Sequence, residues 1–516
     1  MSAPELVAPD RVATDDIETD AVAPVNVRTA AVAPARAATE PVVTAPTTTA
    51  PITTAPVEPV SASTASSMAD RVVARPVVAD RASLDRRRRG EASTLLATDA
   101  ARAALAEFGT PVLLLEPARV QRQYRRLRTA LPFVRFHYAV KANPHDAVIA
   151  ALASEGCGFD VATGEEIALL ERHGVDPARV IHTHPIKKQT EIAAAVAAGV
   201  RTFVVDNEAE LAKFVGADAG VRVLIRLAYR SPRAKSDLST KFGVGPFEAA
   251  HLVERALALG VHVAGFSFHV GSQLDDPQRF ADAADETLAL MAQFESRFGV
   301  RFAVLDIGGG FPVSYDSGVV PLEEIAARLR AVLEPVAARY DIIAEPGRIL
   351  VAESMTLVTS VVGVAERDDG RWYHVDDGVY GAYSNVLTED VHPLVFAERD
   401  LRGDADDHRW ATVAGPTCDS SDVIARETLL PDLRVGDLVV SPVMGAYTTV
   451  TATRFNGRPL TPVAVMPCAG LHAVGGAGSG ASVGGADAAP IASSATPRSP
   501  IARVATAPEA PAALIV

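Results

Sequence analysis

Cysteine is scarce. Only Cys157, Cys418 and Cys468 occur in 516 residues, an odd number with no C-x-x-C spacing, which excludes a paired disulfide framework and a cysteine-held metal. A reduced, cytoplasmic setting is expected. Basic residues are also in deficit: 49 Lys and Arg against 63 Asp and Glu leave a formal charge of -14. Binding along a phosphate backbone needs clustered positive charge on one face, so no nucleic-acid partner is expected. The basic run Arg86-Arg87-Arg88-Arg89 lies between a Pro-rich tract and the first globular segment and reads as solvated linker. Long apolar runs are missing too, and Glu5, Asp10, Asp15, Asp16 and Glu18 stand where a signal peptide needs a basic start. No membrane partner is expected.

The two ends lack large apolar residues at helical spacing. Stretches such as Val42-Val43-Thr44-Ala45-Pro46 cannot bury enough surface to offset the entropy of ordering. Residues 1–90 are therefore expected to be a disordered Ala/Pro/Thr-rich extension, and residues 474–516, opening on Gly475-Gly476-Ala477-Gly478, a disordered tail. Between them the composition, 48% hydrophobic and 22% charged over the whole chain, allows two domains and a sizeable core.

What the middle of the chain does have is a countable alternation of short β-rich runs with Ala- and Leu-rich amphipathic stretches. The runs are Phe136 to Val140, Gly158 to Ala162, Val180 to Thr183, Thr202 to Asp206, Val221 to Leu227, Val263 to Val270, Val304 to Ile307 and Ile342 to Ala344. Eight such repeats close a (β/α)8 barrel. An open doubly wound sheet would carry a glycine fingerprint after its first strand, and this chain has Lys141-Ala142-Asn143 there. After about residue 365 the pattern changes to short alternating strands, as in Trp372 to Val375 and Asp437 to Ser441. The expected organisation is an α/β chain with a barrel over 131–365 and a mostly antiparallel β-domain over 366–470.

Catalytic groups of such barrels gather at the C-terminal strand ends. Lys141, Asp160, His269, Gly308 to Gly310 and Glu345 each fall at or just after the end of a different run, so one cavity can collect them. An amine in apolar surroundings loses hydration in its charged form. Its pKa is then expected to fall, leaving free base at Lys141 to attack an aldehyde. Gly308-Gly309-Gly310 after a strand lets backbone N–H groups approach a phosphate.

The ordered segments Phe136-His137-Tyr138-Ala139-Val140-Lys141-Ala142-Asn143-Pro144, Phe159-Asp160-Val161-Ala162-Thr163, His269-Val270-Gly271-Ser272-Gln273, Asp306 to Pro312, Glu345-Pro346-Gly347-Arg348, Gly415-Pro416-Thr417-Cys418-Asp419 and Gly445-Ala446-Tyr447-Thr448 resemble the alanine-racemase-like, fold-type III decarboxylases acting on ornithine, diaminopimelate or arginine. The likeness spans about residues 95–470 and is strongest to the ornithine branch. It implies pyridoxal 5'-phosphate as cofactor, no metal, Lys141 as the cofactor lysine, and residues 95–130 crossing over to join the β-domain. By the same resemblance Ser272, Arg348 and Tyr447 help the glycines hold the phosphate. Glu345 keeps the ring nitrogen protonated, His269 stacks on the ring, Asp160 keeps cofactor and lysine in register with Arg226 as its partner, and Cys418 donates a proton where carbon dioxide departs.

For the substrate, the resemblance makes Asp419 and Asp390 the carboxylates that read the distal ammonium of a small basic amino acid, so L-ornithine would give putrescine. Gln273, common in the diaminopimelate group, and Thr183-His184-Pro185, where Ala-Asn-Pro is usual, depart from the ornithine pattern. Lysine is a possible co-substrate, because one methylene is discriminated by only ~1–3 kcal/mol. The rival readings are a diaminopimelate decarboxylase, a racemase, a non-catalytic regulatory homologue and a basic amino-acid binding module without cofactor. The family's head-to-tail homodimer would bring Lys141 and Cys418 to one site from different chains.

Overall fold

A computed structural model describes residues 80–404 and 407–467. The remaining parts of the two expected disordered ends, and Cys468, lie outside the described residues. The chain enters on α1 (Arg81–Leu96) and α2 (Asp99–Phe108), then β1 (Val112–Leu115) and α3 (Pro117–Ala130). Asp80 caps α1 by accepting from the Ser83 N–H at 2.6 Å, which satisfies one of the free donors of the first turn.

Helix α1 corrects the expectation for residues 81–90 and for the arginine run. Leu84, Arg88, Ala92 and Leu95 recur at helical spacing and are all buried. Arg88 is fully enclosed; its guanidinium pairs with Glu353, bonds Glu91 at 3.0 Å and reaches the Ser314 carbonyl at 3.4 Å. Composition alone could not separate this arginine from its exposed neighbours, because what distinguishes it is the carboxylate waiting 265 residues away. Arg88→Ala would leave Glu353 without that partner, and we expect a loss of about 3 kcal/mol in chemical denaturation. Burial alone would raise Glu353, but Arg88 holds it below its ordinary value of 4.5. The pair's contribution is therefore complete above that ordinary value and lost as the pH falls through the lower folded one.

The eight runs counted above are eight parallel strands in a closed barrel: β2 (Val134–Ala139), β3 (Gly158–Val161), β4 (Val180–His182), β5 (Thr202–Val205), β6 (Arg222–Leu227), β7 (Val263–Phe268), β8 (Val304–Asp306) and β9 (Asp341–Ala344). Closure comes from pairing of β2 with β9, with Phe136 beside Ala344. Because side chains alternate across a strand, one set points inward. Ile181, Val204, Leu224, Ala264, Val304 and Ile343, from six successive strands, form a separate buried cluster. Gly265 lies beside them, and a Cβ there would sit 1.8 Å from the Val304 carbonyl. The outward set packs on the helices, each fully buried Leu, Ile, Val or Phe contributing roughly 1.5–3 kcal/mol.

The second sheet contains β1, β10 (Met355–Arg367), β11 (Gly370–Val375), β12 (Phe396–Ala397), β13 (Arg409–Ala414), β14 (Val423–Leu430), β15 (Leu438–Pro442) and β16 (Val463–Val465), in the order β12-β15-β10-β11-β13-β14 with β1 bridging β10 and β16. Pairing is antiparallel except at β11–β13 and β1–β16. The expected boundary at 365 falls inside β10, so the sheet begins earlier, at Met355. Of residues 95–130, β1 joins this sheet, whereas α3 packs on the barrel helices. Among the described residues no helix is long and apolar enough to cross a membrane.

Candidate active site

Strand β2 stops at Ala139, and one 3-10 turn, Val140–Ala142, presents Lys141 at the barrel mouth. The Asn-Pro that follows is a tether. The buried Asn143 amide donates to the Gly445 carbonyl at 2.8 Å, and the Tyr447 N–H donates to the Ala142 carbonyl at 3.0 Å. These bonds draw the 445–447 loop, and Tyr447 with it, against the lysine.

Lys141 lines a cavity of about 280 Å³ together with His269, Ser272, Gly310, Glu345, Arg348 and Tyr447. The lysine side chain is half-exposed, and its Nζ stands 3.3 Å from Asp160 Oδ2. Asp160 is buried at the end of β3 and accepts from Thr183 Oγ1 at 2.6 Å. The expectation of a lowered lysine pKa is corrected here. Burial does disfavour the ammonium, but the Asp160 carboxylate, with Tyr447 and Glu345, outweighs it and raises the pKa. Lys141 is a charged partner of Asp160.

His269 follows β7. Its Nδ1 accepts from the Gly271 N–H at 3.0 Å, and burial, with Arg226 and Lys141 nearby, pushes its pKa well below the ordinary value. The ring is therefore neutral with its proton on Nε2. Gly308 and Gly310 have φ of 65° and 96°, and a Cβ at either would come within 2.1 Å of a carbonyl, from Phe268 and Gly271 respectively. Only glycine allows this turn.

Arg348 is buried; it donates to Tyr315 Oη at 3.0 Å and to Ser272 Oγ at 3.3 Å, pairs with Glu389, and leaves Nε unpartnered. A side-chain-free glycine turn beside a guanidinium with an unused donor, a serine and a tyrosine suits a phosphate dianion. Glu345, anchored by its N–H to the Gly308 carbonyl at 2.7 Å, is the carboxyl that can meet a ring nitrogen. Arg226 also enters the cavity, its guanidinium 5.4 Å from the Phe242 ring centroid. The residues present thus fit pyridoxal phosphate.

Of the expected residues, Asp160, Gly308 and Gly309 do not themselves line this cavity, though Asp160 touches it through Lys141, and Asp390, Cys418 and Asp419 do not line it either. Asp390 turns outward and pairs with Lys235 at 3.0 Å; the carboxylate that enters is its neighbour Glu389. The expected distal carboxylate is therefore not part of the lining: Glu389 is the C-cap of the short helix Asn385–Thr388, and Asp390 follows it in the left-handed region at φ 50°, a backbone reversal that turns the two adjacent side chains apart. Cys418 and Asp419 lie on the exposed loop between β13 and β14. Cys418 N–H donates to Asn456 Oδ1 at 3.2 Å, and Asp419 accepts from Tyr380 Oη at 2.6 Å. Cys157 matches the packing residue expected of it, its buried thiol pushed up to about 12.

Sequence reasoning missed Tyr315, which has no motif, and the purpose of Gln273. The Gln273 side chain accepts from the Val313 N–H at 2.7 Å and donates to its carbonyl at 3.0 Å. The departure from the ornithine pattern is thus a clamp on the loop after β8.

A profile described as "Pyridoxal-dependent decarboxylase, pyridoxal binding domain" matches residues 117–352. The lysine/ornithine decarboxylase of Selenomonas ruminantium is 36% identical over 361 residues, 69% of this chain and 89% of that one. Antizyme inhibitor 2 of Xenopus laevis is 37% identical, covering 69% of this chain and 81% of its own length. The lysine/ornithine decarboxylase from Vibrio vulnificus, solved with putrescine, superposes with a TM-score of 0.67 at 38% identity over 73% of this chain and 98% of that one. Barrel and second sheet agree with these matches, and the chain belongs to the pyridoxal-dependent decarboxylases of basic amino acids, with pyridoxal phosphate as its cofactor.

Proposed function

We propose that this chain decarboxylates L-ornithine to putrescine and carbon dioxide, with lysine as a poorer substrate. The observation that carries the choice is Glu389, a carboxylate lining the same cavity as Lys141. A side chain ending in an ammonium finds a counter-charge there, whereas the second carboxylate of diaminopimelate would meet a like charge. When bound, pyridoxal phosphate supplies the electron sink for the bond that breaks. The chain's own groups do the rest. Lys141 would provide the amine that holds the cofactor. Arg348, Ser272, Tyr447 and the 308–310 turn would hold the phosphate, Glu345 would accept from the ring N–H, and neutral His269 would lie against the ring without competing for protons.

The proton that replaces carbon dioxide is assigned to Cys418. In this chain Cys418 and Asp419 do not line the cavity, so the reading requires that loop from a second copy, with Asp419 joining Glu389 at the distal ammonium. A decarboxylation assay over ornithine, lysine, arginine and diaminopimelate tests the substrate. Ornithine should give the highest kcat/KM, and lysine a value lower by about 10–200-fold. Diaminopimelate as best substrate would overturn the assignment. Cofactor binding without turnover of any of the four would favour a regulatory role, the reading to which the antizyme-inhibitor relative lends weight. Glu389→Ala should lower kcat/KM for ornithine on the order of 10–100-fold through the lost charged hydrogen bond, while Asp390→Ala, an exposed pair, should change it by less than about threefold.

A further inference from the structure

We propose that Asp306 shares a single proton with Glu345 and thereby acts as the positioning residue for the carboxylate that meets the cofactor's ring nitrogen. This rests on the reading of Glu345 given above. Asp306 ends β8 and pairs in register with Ile343 of β9. The bonds from Ile307 N–H to the Ile343 carbonyl at 2.9 Å and from Glu345 N–H to the Gly308 carbonyl at 2.7 Å hold the two strand ends side by side.

Asp306 is fully enclosed. Its Oδ1 accepts from the Gly308 N–H at 2.9 Å, while Oδ2 is buried without any donor. Val304 and Ile343 both belong to the inward cluster, so Asp306 and Glu345, each two residues further along neighbouring strands, face the same barrel interior. Two ionised carboxylates offer only acceptors, so Asp306 Oδ2 finds a partner in Glu345 only if the pair holds a proton. The charges acting on the pair, besides each other, are Asp160 from β3, Lys141 beyond β2 and Arg226 from β6; His269, beyond β7, is neutral. Asp160, Asp306 and Glu345 thus stand against Lys141 and Arg226, and one proton on the pair makes the count level. Burial supports this, raising Asp306 to about 6 and Glu345 well above its ordinary value.

The Gly308 N–H favours the anion on Asp306, so the proton sits on Glu345. Against a ring N–H, Glu345 must be the acceptor. The proton then crosses to Asp306 Oδ2, which becomes the donor, and none is taken from or given to water. One Glu345 oxygen is pinned by Asp306 while the other is free for the ring.

Asp306→Asn places a permanent donor in the position of the protonated acid, and Asp306→Leu removes the bond at similar volume. Pyridoxal phosphate affinity would be followed by absorbance titration of cofactor-free protein. The Asn variant should bind within about threefold of the unmodified chain, the Leu variant on the order of 10–100-fold more weakly. Infrared difference spectra of the two holoenzymes supply the second readout: the unmodified protein should show the C=O stretch of a buried protonated carboxyl that the Asn variant lacks. Equal affinity in the Leu variant, or the same carboxyl band in the unmodified and Asn holoenzymes, would overturn the shared proton. The Asn comparison stands even if the Leu variant does not fold. Failure of the unmodified chain to take up pyridoxal phosphate would instead remove the reading of the cavity itself.

Discussion

Lys141→Ala is expected to leave a folded protein whose ornithine turnover falls on the order of 10³-fold or more, since in the proposed role the amine acts both as nucleophile and in proton transfer. The change removes the ammonium paired with Asp160 and, on that reading, the covalent link to the cofactor. The unmodified protein should be yellow, and borohydride reduction followed by peptide mapping should place the pyridoxyl group on Lys141. Labelling at another lysine would remove Lys141 from its role. Normal turnover by the alanine variant would do the same.

Cys418→Ala is expected to be severely impaired as well, although Cys418 lies on an exposed loop outside its own chain's cavity. The informative experiment combines the two defects. If each site draws Lys141 from one chain and Cys418 from the other, a mixed dimer has one site with both defects and one with neither. Random reassortment makes half the dimers mixed, so an equal mixture should regain about a quarter of unmodified activity. Subunit exchange can be demonstrated by mass spectrometry of differently tagged chains. Exchange without recovered activity would put the whole site within one chain.

The barrel was legible because all eight strands are short β-rich runs with distinct breaks, and their closure follows from number alone. The cavity was legible for a related reason. Lys141, Asp160, His269, the 308–310 turn and Glu345 sit at strand ends, where position along the chain already implies position in space. What was not legible depends on rotation or on distant partners. Glu389 and Asp390 are adjacent acids, and the left-handed backbone at Asp390, just past a four-residue helix, decides which faces inward. Arg88 is one of four arginines, chosen for burial by Glu353. The rise rather than fall of the Lys141 pKa needs the distance to Asp160, which no spacing encodes.

The ion pair between Arg348 and Glu389 has a consequence for the two ends of the cavity. In the proposed reading Arg348 faces the phosphate and Glu389 the far end of the substrate, and the unpartnered Arg348 Nε leaves the guanidinium a donor for the phosphate while the pair is kept. One contact then braces both ends, and the spacing between cofactor and distal ammonium is set by the length of a single salt bridge.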